Sequence, residues 1–398
     1  MQAGCWTEPE EIHMRARKRA PSLQNAVKPR HKGVTVREAS FGDHEQVTSL
    51  ASRYGLETKS FEEWAHLWIN NPLYEEVREH WPIGWVLENE NAQVVGYLGN
   101  IALSYEFQGQ RLIAAGTHSW VVDASYRSYS ILLLDRYFDQ KNADLYLSTT
   151  VNARASKAFN IFNSPAVPVG VWDQSAFWIA NYQGFAASWL AMKTLPLAGL
   201  LSYPLSAVLL FKDISTGRAF SGYRNEVKVE PCASFDDRFD TFWERLKRRK
   251  PHLLLAVRRR EVLEWHFKHA ILKNKVWILA VANNSGLLAY SLFCRQDNPT
   301  FGLRRMRLVD FQALEGSAGL LLPMFSWALK RCRTEGIHML ECLGLCPQQR
   351  DIFEKFTPHQ RRLPSWLYFY KARDQRLAKC LANPDVWNPS CFDGDSSL

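Results

Sequence analysis

The stretch from Val121 to Leu132 constrains the fold more than any other part of the chain. Val121 and Val122 end an apolar strand, and Asp123-Ala124-Ser125-Tyr126-Arg127-Ser128-Tyr129-Ser130 makes a short polar turn. Ile131, Leu134 and Phe138 then keep helical spacing. A strand delivered straight into a helix aims backbone N–H groups and a helix N-terminus at one point, which is how a protein holds a phosphate. Ser128 and Ser130 stand where phosphate loops usually carry glycine.

The flanking pattern sets the class. It predicts an edge strand over residues 34–38, a helix capped by Asp43 and stopped by Gly55, and a second helix carrying Phe61, Trp64 and Trp68. Strands follow near 84–87, 94–103 and 112–122, then a strand over 144–149 and a helix over 152–162. Only a mixed sheet with helices on both faces takes this order easily. From about residue 227 the theme repeats loosely. Helices carry Phe239 to Leu246 and Val262 to His266, and a hairpin joins 276–281 to 287–294. A strand over 306–314, a long apolar helix over 320–333, a strand over 338–343, a short helix over 348–355 and a strand over 367–371 complete it. The expected class is α+β, with one domain over 33–180 and a second over 226–373. A hydrophobic linker, 181–225, joins them, and a basic tail, 1–32, and a C-terminal tail, 374–398, flank them.

A length of 398 residues, 46% of them hydrophobic, suits two packed cores. The net charge of +9 permits attraction to phosphate-bearing partners, from CoA to anionic lipid and nucleic acid, and selects none of them. The runs Arg15-Ala16-Arg17-Lys18-Arg19 and Lys28-Pro29-Arg30-His31-Lys32 mark the first tail as loosely attached. None of the eight cysteines forms a CxxC pair, and no signal-peptide pattern opens the chain. Reduced thiols in a cytoplasmic protein, with no metal site, fit that usage. Between 185 and 211 the only charge is Lys193, and Pro196, Gly199 and Pro204 interrupt the run. A pair of helices packed between domains, or lying on a membrane surface, suits it better than a bilayer span.

Two runs resemble the GNAT superfamily of N-acetyltransferases. In that family a strand ends in a P-x-Y-R-G-x-G-x-G/A turn that grips the acetyl-CoA pyrophosphate. Here Tyr126 and Arg127 match, while Ser128, Ser130 and Leu132 replace the glycine or small positions. The family also carries an N-x-x-A-x-x-x-Y run after the next strand, matched by Asn152 and Ala155, with Phe159 in place of the tyrosine that protonates the departing thiolate. The resemblance implies two tandem GNAT-like domains and an acyl-CoA-dependent N-acyltransferase, using acetyl-CoA or another acyl-CoA. The acceptor would be a primary amine on a small molecule, and the uncharged run over 185–211 points to a lipid-linked one as the alternative. It puts the pyrophosphate on Arg127, Ser128, Tyr129 and Ser130, pantetheine along Val121 and Val122, and a strand-end cap on Asn152. The base that deprotonates the amine is expected beside the splayed strands, where His118 and Asp123 are the nearest groups.

Two other readings stand beside this one. Fem-type transferases resemble tandem GNAT domains and take their acyl group from aminoacyl-tRNA, which the runs Lys247-Arg248-Arg249-Lys250 and Arg258-Arg259-Arg260 would suit. A catalytically degenerate ligand-binding protein is the other, invited by Phe159 and Leu132. In the second half, the run from Arg258 to Phe267 resembles the C-terminal domain of tandem members. Gly316 and Gly319 open a helix as either a phosphate site or turn glycines. His266 and His269 share a helix face without completing a zinc set.

Overall fold

The computed structural model describes residues 33–170, 172–218, 227–315, 317–344, 347–354, 358–363 and 366–398. The basic runs of the first tail, Cys5, Gly316, Cys346 and the end of the linker lie outside the described residues.

The first half runs β1 (Val34–Glu38), α1 (His44–Arg53), α2 (Phe61–Ile69), α3 (Tyr74–Val77), β2 (Gly84–Asn89), β3 (Val94–Phe107) and β4 (Gln110–Val122). It continues through α4 (Ser130–Asp139), β5 (Leu145–Val151), α5 (Ser156–Ile161) and β6 (Gln174–Ile179) to the helix pair α6 (Tyr182–Met192) and α7 (Ala198–Ser215). The second half has β7 (Glu230–Cys232), α8 (Asp237–Arg249), β8 (Leu255–Ala256), α9 (Arg260–Leu272), β9 (Val276–Asn283), β10 (Gly286–Arg295) and β11 (Arg305–Ala313). Then come α10 (Ser317–Thr334), β12 (Met339–Leu343), α11 (Pro347–Glu354), β13 (His359–Arg362), β14 (Leu367–Ala372) and α12 (Gln375–Leu381).

Two mixed sheets result, in the orders β1-β2-β3-β4-β5-β14 and β13-β6-β12-β11-β10-β9-β7, with β8 paired to β3. The halves exchange strands. β6 falls within the expected first domain yet pairs with β12, and β14 falls within the expected second domain yet pairs with β5. Neither sheet is therefore built from 33–180 or 226–373 alone. The apolar residues explain the exchange: Trp178 on β6 packs against Phe325 and Phe353 of the second core, while Phe369 on β14 stacks on Phe159 of the first.

Strand β13 has no apolar alternation, which is why periodicity misses it. Its place is fixed by Arg361, which joins Arg307 of β11 and Ser175 of β6 on the buried Glu341 of β12. Burial pushes that carboxyl up, but Arg307, Arg305 and Arg361 together hold it down at about 2. Asp43 does not cap α1 as expected. Its carboxylate takes two hydrogen bonds from Arg37, at 2.9 and 2.7 Å, and one from the Ser40 amide. Residues 374–398 are not a tail either. After α12 the chain turns inward, and Trp387, Cys391, Phe392 and Asp393 are buried between the sheets. Among the described residues no helix is long and apolar enough to cross a membrane.

Candidate active site

The parallel strands β4 and β5 are in register only from Ala114↔Leu145 to Gly116↔Leu147, although β4 continues to Val122 and β5 to Val151. Tyr137 of α4 is the wedge. Its buried hydroxyl donates to the Ala115 carbonyl oxygen at 2.6 Å and accepts from the Leu147 amide at 3.1 Å, replacing ladder bonds at the point of divergence. Past that point a bulge in β4 sets two residues opposite Leu98, with Ser119 at a φ of 52°. Below it Thr117 spans the opening cleft to Ser148 at 3.1 Å.

His118 lies in this cleft, 7% exposed, and its Nδ1 has no hydrogen-bond partner. The indole N–H of Trp120, two residues on, is buried and also unpartnered. The bulge reverses the alternation between the two: Trp120 packs edge-on to Phe159 in the first core, while His118 stands on the opposite face of the sheet. Against His118 comes the inward-turned end of the chain. Asp395 places a carboxylate oxygen 3.5 Å from His118 Nδ1 and accepts from the Thr149 hydroxyl at 3.1 Å. Gly394 makes that approach feasible: its φ is 78°, and a Cβ there would lie 2.6 Å from Thr149. Sequence reasoning named His118 as a candidate but pointed to neither Tyr137 nor Asp395, because neither belongs to a motif.

The turn after β4 departs from the expected phosphate loop. Residues Ala124–Tyr129 wind as a 3-10 helix that runs directly into α4. Its amides are already engaged: Ala124 N–H by the Tyr54 hydroxyl, Ser125 N–H by the Asp123 carboxylate, Tyr126 N–H by the Asp123 carbonyl and Ser130 N–H by the Arg127 carbonyl. The expected cradle of free amides is therefore not formed at these positions. Asp123 is spent as the cap of this turn and as the partner of Arg53 at 3.1 Å, which separates it from the base position assigned beside His118. What remains for a phosphate is side-chain chemistry. Arg127 and Ser128 are exposed, the Arg127 guanidinium sits over the Tyr54 ring, and Ser130 and Tyr129 are half-buried behind them. Val121 is buried and Val122 half-buried, both in register with β3. On the α1 side the turn borders an open cleft of about 420 Å³ in which Glu45 and Asp123 face Arg53, a charge balance unsuited to an anion. Leu132 packs against the first core.

Asn152 does what its motif implies locally. Its side chain accepts from the Arg154 and Ala155 amides at 3.0 and 2.8 Å, capping the turn at the end of β5. Phe159 is a core residue, 1% exposed, enclosed by Trp120, Phe138 and Phe369. Restoring the family's tyrosine with Phe159→Tyr is therefore expected to bury a hydroxyl among rings, costing about 1–3 kcal/mol in urea denaturation with no gain in turnover.

The second half repeats the geometry and fills it. Strands β11 and β12 pair over 305–308 and 339–342, then separate beside a bulge between Leu292 and Phe293. In the gap the buried Arg258 holds Asp310 through two hydrogen bonds, at 2.8 and 3.1 Å, with Tyr290, Gln312 and Ser390 completing the network. Asp393 stands 3.7 Å from the same guanidinium, and burial raises its carboxyl to about 6. Arg258 thus does not belong to a surface basic patch. Lys247, Arg249, Arg259 and Arg260 are each paired with carboxylates. His266 and His269 diverge: His266 meets Ser397 at 2.7 Å, and His269 packs edge-on to His66. Gly319 lies within α10, and its partner Gly316 lies outside the described residues.

No family model matches the sequence, and no curated protein matches it. Solved structures match the fold. A Saccharomyces cerevisiae N-myristoyltransferase with bound myristoyl-CoA and inhibitors aligns with a TM-score of 0.56 at 11% identity, over 94% of this chain and 88% of that one. Another structure of the yeast enzyme with bound myristoyl-CoA gives 0.55 at 12% identity, over 94% and 90%. A GCN5-related N-acetyltransferase from Anabaena variabilis gives 0.51 at 10% identity, over 86% and 73%. At these identities the likeness shows the fold.

Proposed function

We propose that this chain, whose fold is that of the GNAT superfamily in two tandem domains, is an acyl-CoA-dependent N-acyltransferase working in the β4–β5 cleft. The observation that carries the reading is the cleft itself: a parallel pair wedged apart by Tyr137, a bulge at Ser119, and a buried His118 held in the gap beside Asp395. In the reaction an amine, once deprotonated, attacks the thioester carbonyl. The carbon–sulfur bond breaks and the thiolate leaves with the acyl group now on nitrogen. His118 takes the amine proton, directly or through water, and Asp395 orients its ring. Phe159 offers no proton to the leaving sulfur, so the thiolate departs unassisted or recovers the proton from the His118 imidazolium. The second domain's gap is closed by its own residues and supports the first.

The donor's phosphates would rest on Arg127 and Ser128, with Ser130 and Tyr129 behind them, since the turn's amides are engaged. Calorimetric titration with acetyl-CoA and a longer acyl-CoA tests this. Binding is expected for at least one donor, and Arg127→Ala is expected to weaken it about tenfold, the loss of one charge-assisted contact. Neither heat nor a thermal shift at millimolar donor would end the acyl-CoA reading. Binding without turnover on any amine would leave a ligand-binding protein.

A further inference from the structure

The helix pair α6–α7 is built inside out. The face of α7 turned toward the protein carries Ser202, fully buried, and Asp213, 1% exposed, while Leu200, Val208, Phe211 and Ile214 stand between 61% and 74% exposed. Leu195 and Leu197 of the connection, and Trp189 and Met192 of α6, extend the same surface. A helix on a water-facing surface has the opposite arrangement, and one that is apolar on its outer face is matched to an apolar medium.

Three further observations say which medium. The hydroxyls of Ser202, Ser206 and Ser215 donate back to carbonyls of their own helix, at Gly199, Tyr203 and Lys212, so they ask nothing of the surroundings. The only carboxylate between 182 and 215, Asp213, is buried and bonded to Tyr182 and His359, leaving Lys193 and Lys212 as the exposed charges of the pair. Lys193 caps the end of α6 and Lys212 stands in the last turn of α7, and exposed Trp189 and Tyr203 supply rings of the kind that settle at headgroup depth.

We infer that α6 and α7 lie in the surface of an anionic phospholipid bilayer, with Leu200, Val208, Phe211 and Ile214 in the acyl region and Lys193 and Lys212 at the phosphates. The pair docks the protein without spanning the membrane. This inference stands independently of the acyl-transfer reading.

Flotation of the full chain with extruded vesicles tests it, using phosphatidylcholine alone and phosphatidylcholine with one-third phosphatidylglycerol. Flotation with both is expected, stronger with the anionic vesicles. The double variant Leu200→Glu, Phe211→Glu is expected to lose binding by at least about tenfold at an unchanged melting temperature, because both side chains are already in water in the unbound protein. Leu272→Glu, an equally exposed leucine on α9, is expected to leave binding unchanged. Absence of flotation with either vesicle overturns the inference, as does binding that survives the double variant. So does a vesicle-free dimer that the double variant converts to monomer, since a second copy would then be what covers the face.

Discussion

Arg258→Met is expected to destabilise the fold by about 3–5 kcal/mol, because it removes the cation from a buried network and leaves its anions behind. Arg258 and Asp310 are both essentially inaccessible, 1% and 0% exposed at the side chain. Burial pushes the Asp310 carboxyl up, and Arg258 with its hydrogen bonds reverses this and holds the group below its ordinary value. Without the guanidinium, Asp310 and Asp393 face each other unpaired, and both folded-state pKa values then lie above those of the unfolded chain. The sign of the pH dependence follows. A carboxyl that is more readily protonated when folded loses stability as pH rises above the unfolded value, near 4. The deficit should therefore be small near pH 4 and grow toward pH 7. Urea denaturation of the variant and the wild type at pH 4.5 and 7.5 reads it directly. An equal, small deficit at both pH values would mean that the network contributes little.

The largest expected effect on activity is at His118. If it is the base, His118→Ala should lower kcat by roughly 10²–10³-fold while leaving acyl-CoA affinity near the wild-type value. Asp395→Asn should cost less, because its 3.5 Å contact acts on the His118 ring rather than on substrate. Single-turnover assays with a broad panel of primary amines across pH 5.5–9 provide the readout. Full turnover by His118→Ala would place the chemistry outside the β4–β5 cleft. A melting-temperature comparison guards against simple unfolding, since His118 is a buried residue.

Much of the first half was legible in the chain. The hairpin of β3 and β4, the helix after it and the capped turn at Asn152 are local, each written in periodicity, turn residues and a side chain that bonds its own backbone a few residues on. The phosphate turn was legible as a strand meeting a helix but not as a 3-10 winding. Which amides are free depends on Tyr54, which lies 70 residues earlier in the chain than Ala124. Likewise Arg258 reads as one of three consecutive basic residues, and only its contact with Asp310, 52 residues away, removes it from the surface.

The sequence alone determined the class, two mixed α+β units with a family-like strand–turn–helix, because helix and strand periods and caps are short-range properties. Tertiary structure decided the rest. It set which sheet β6 and β14 join, where the chain's last described residues insert, and which of His118 and Asp123 stands in the cleft. Those outcomes turn on contacts between residues far apart in the chain, such as Phe159 with Phe369 and His118 with Asp395. No short window of sequence contains both partners of such a contact, and its worth is set only once burial has removed water from between them.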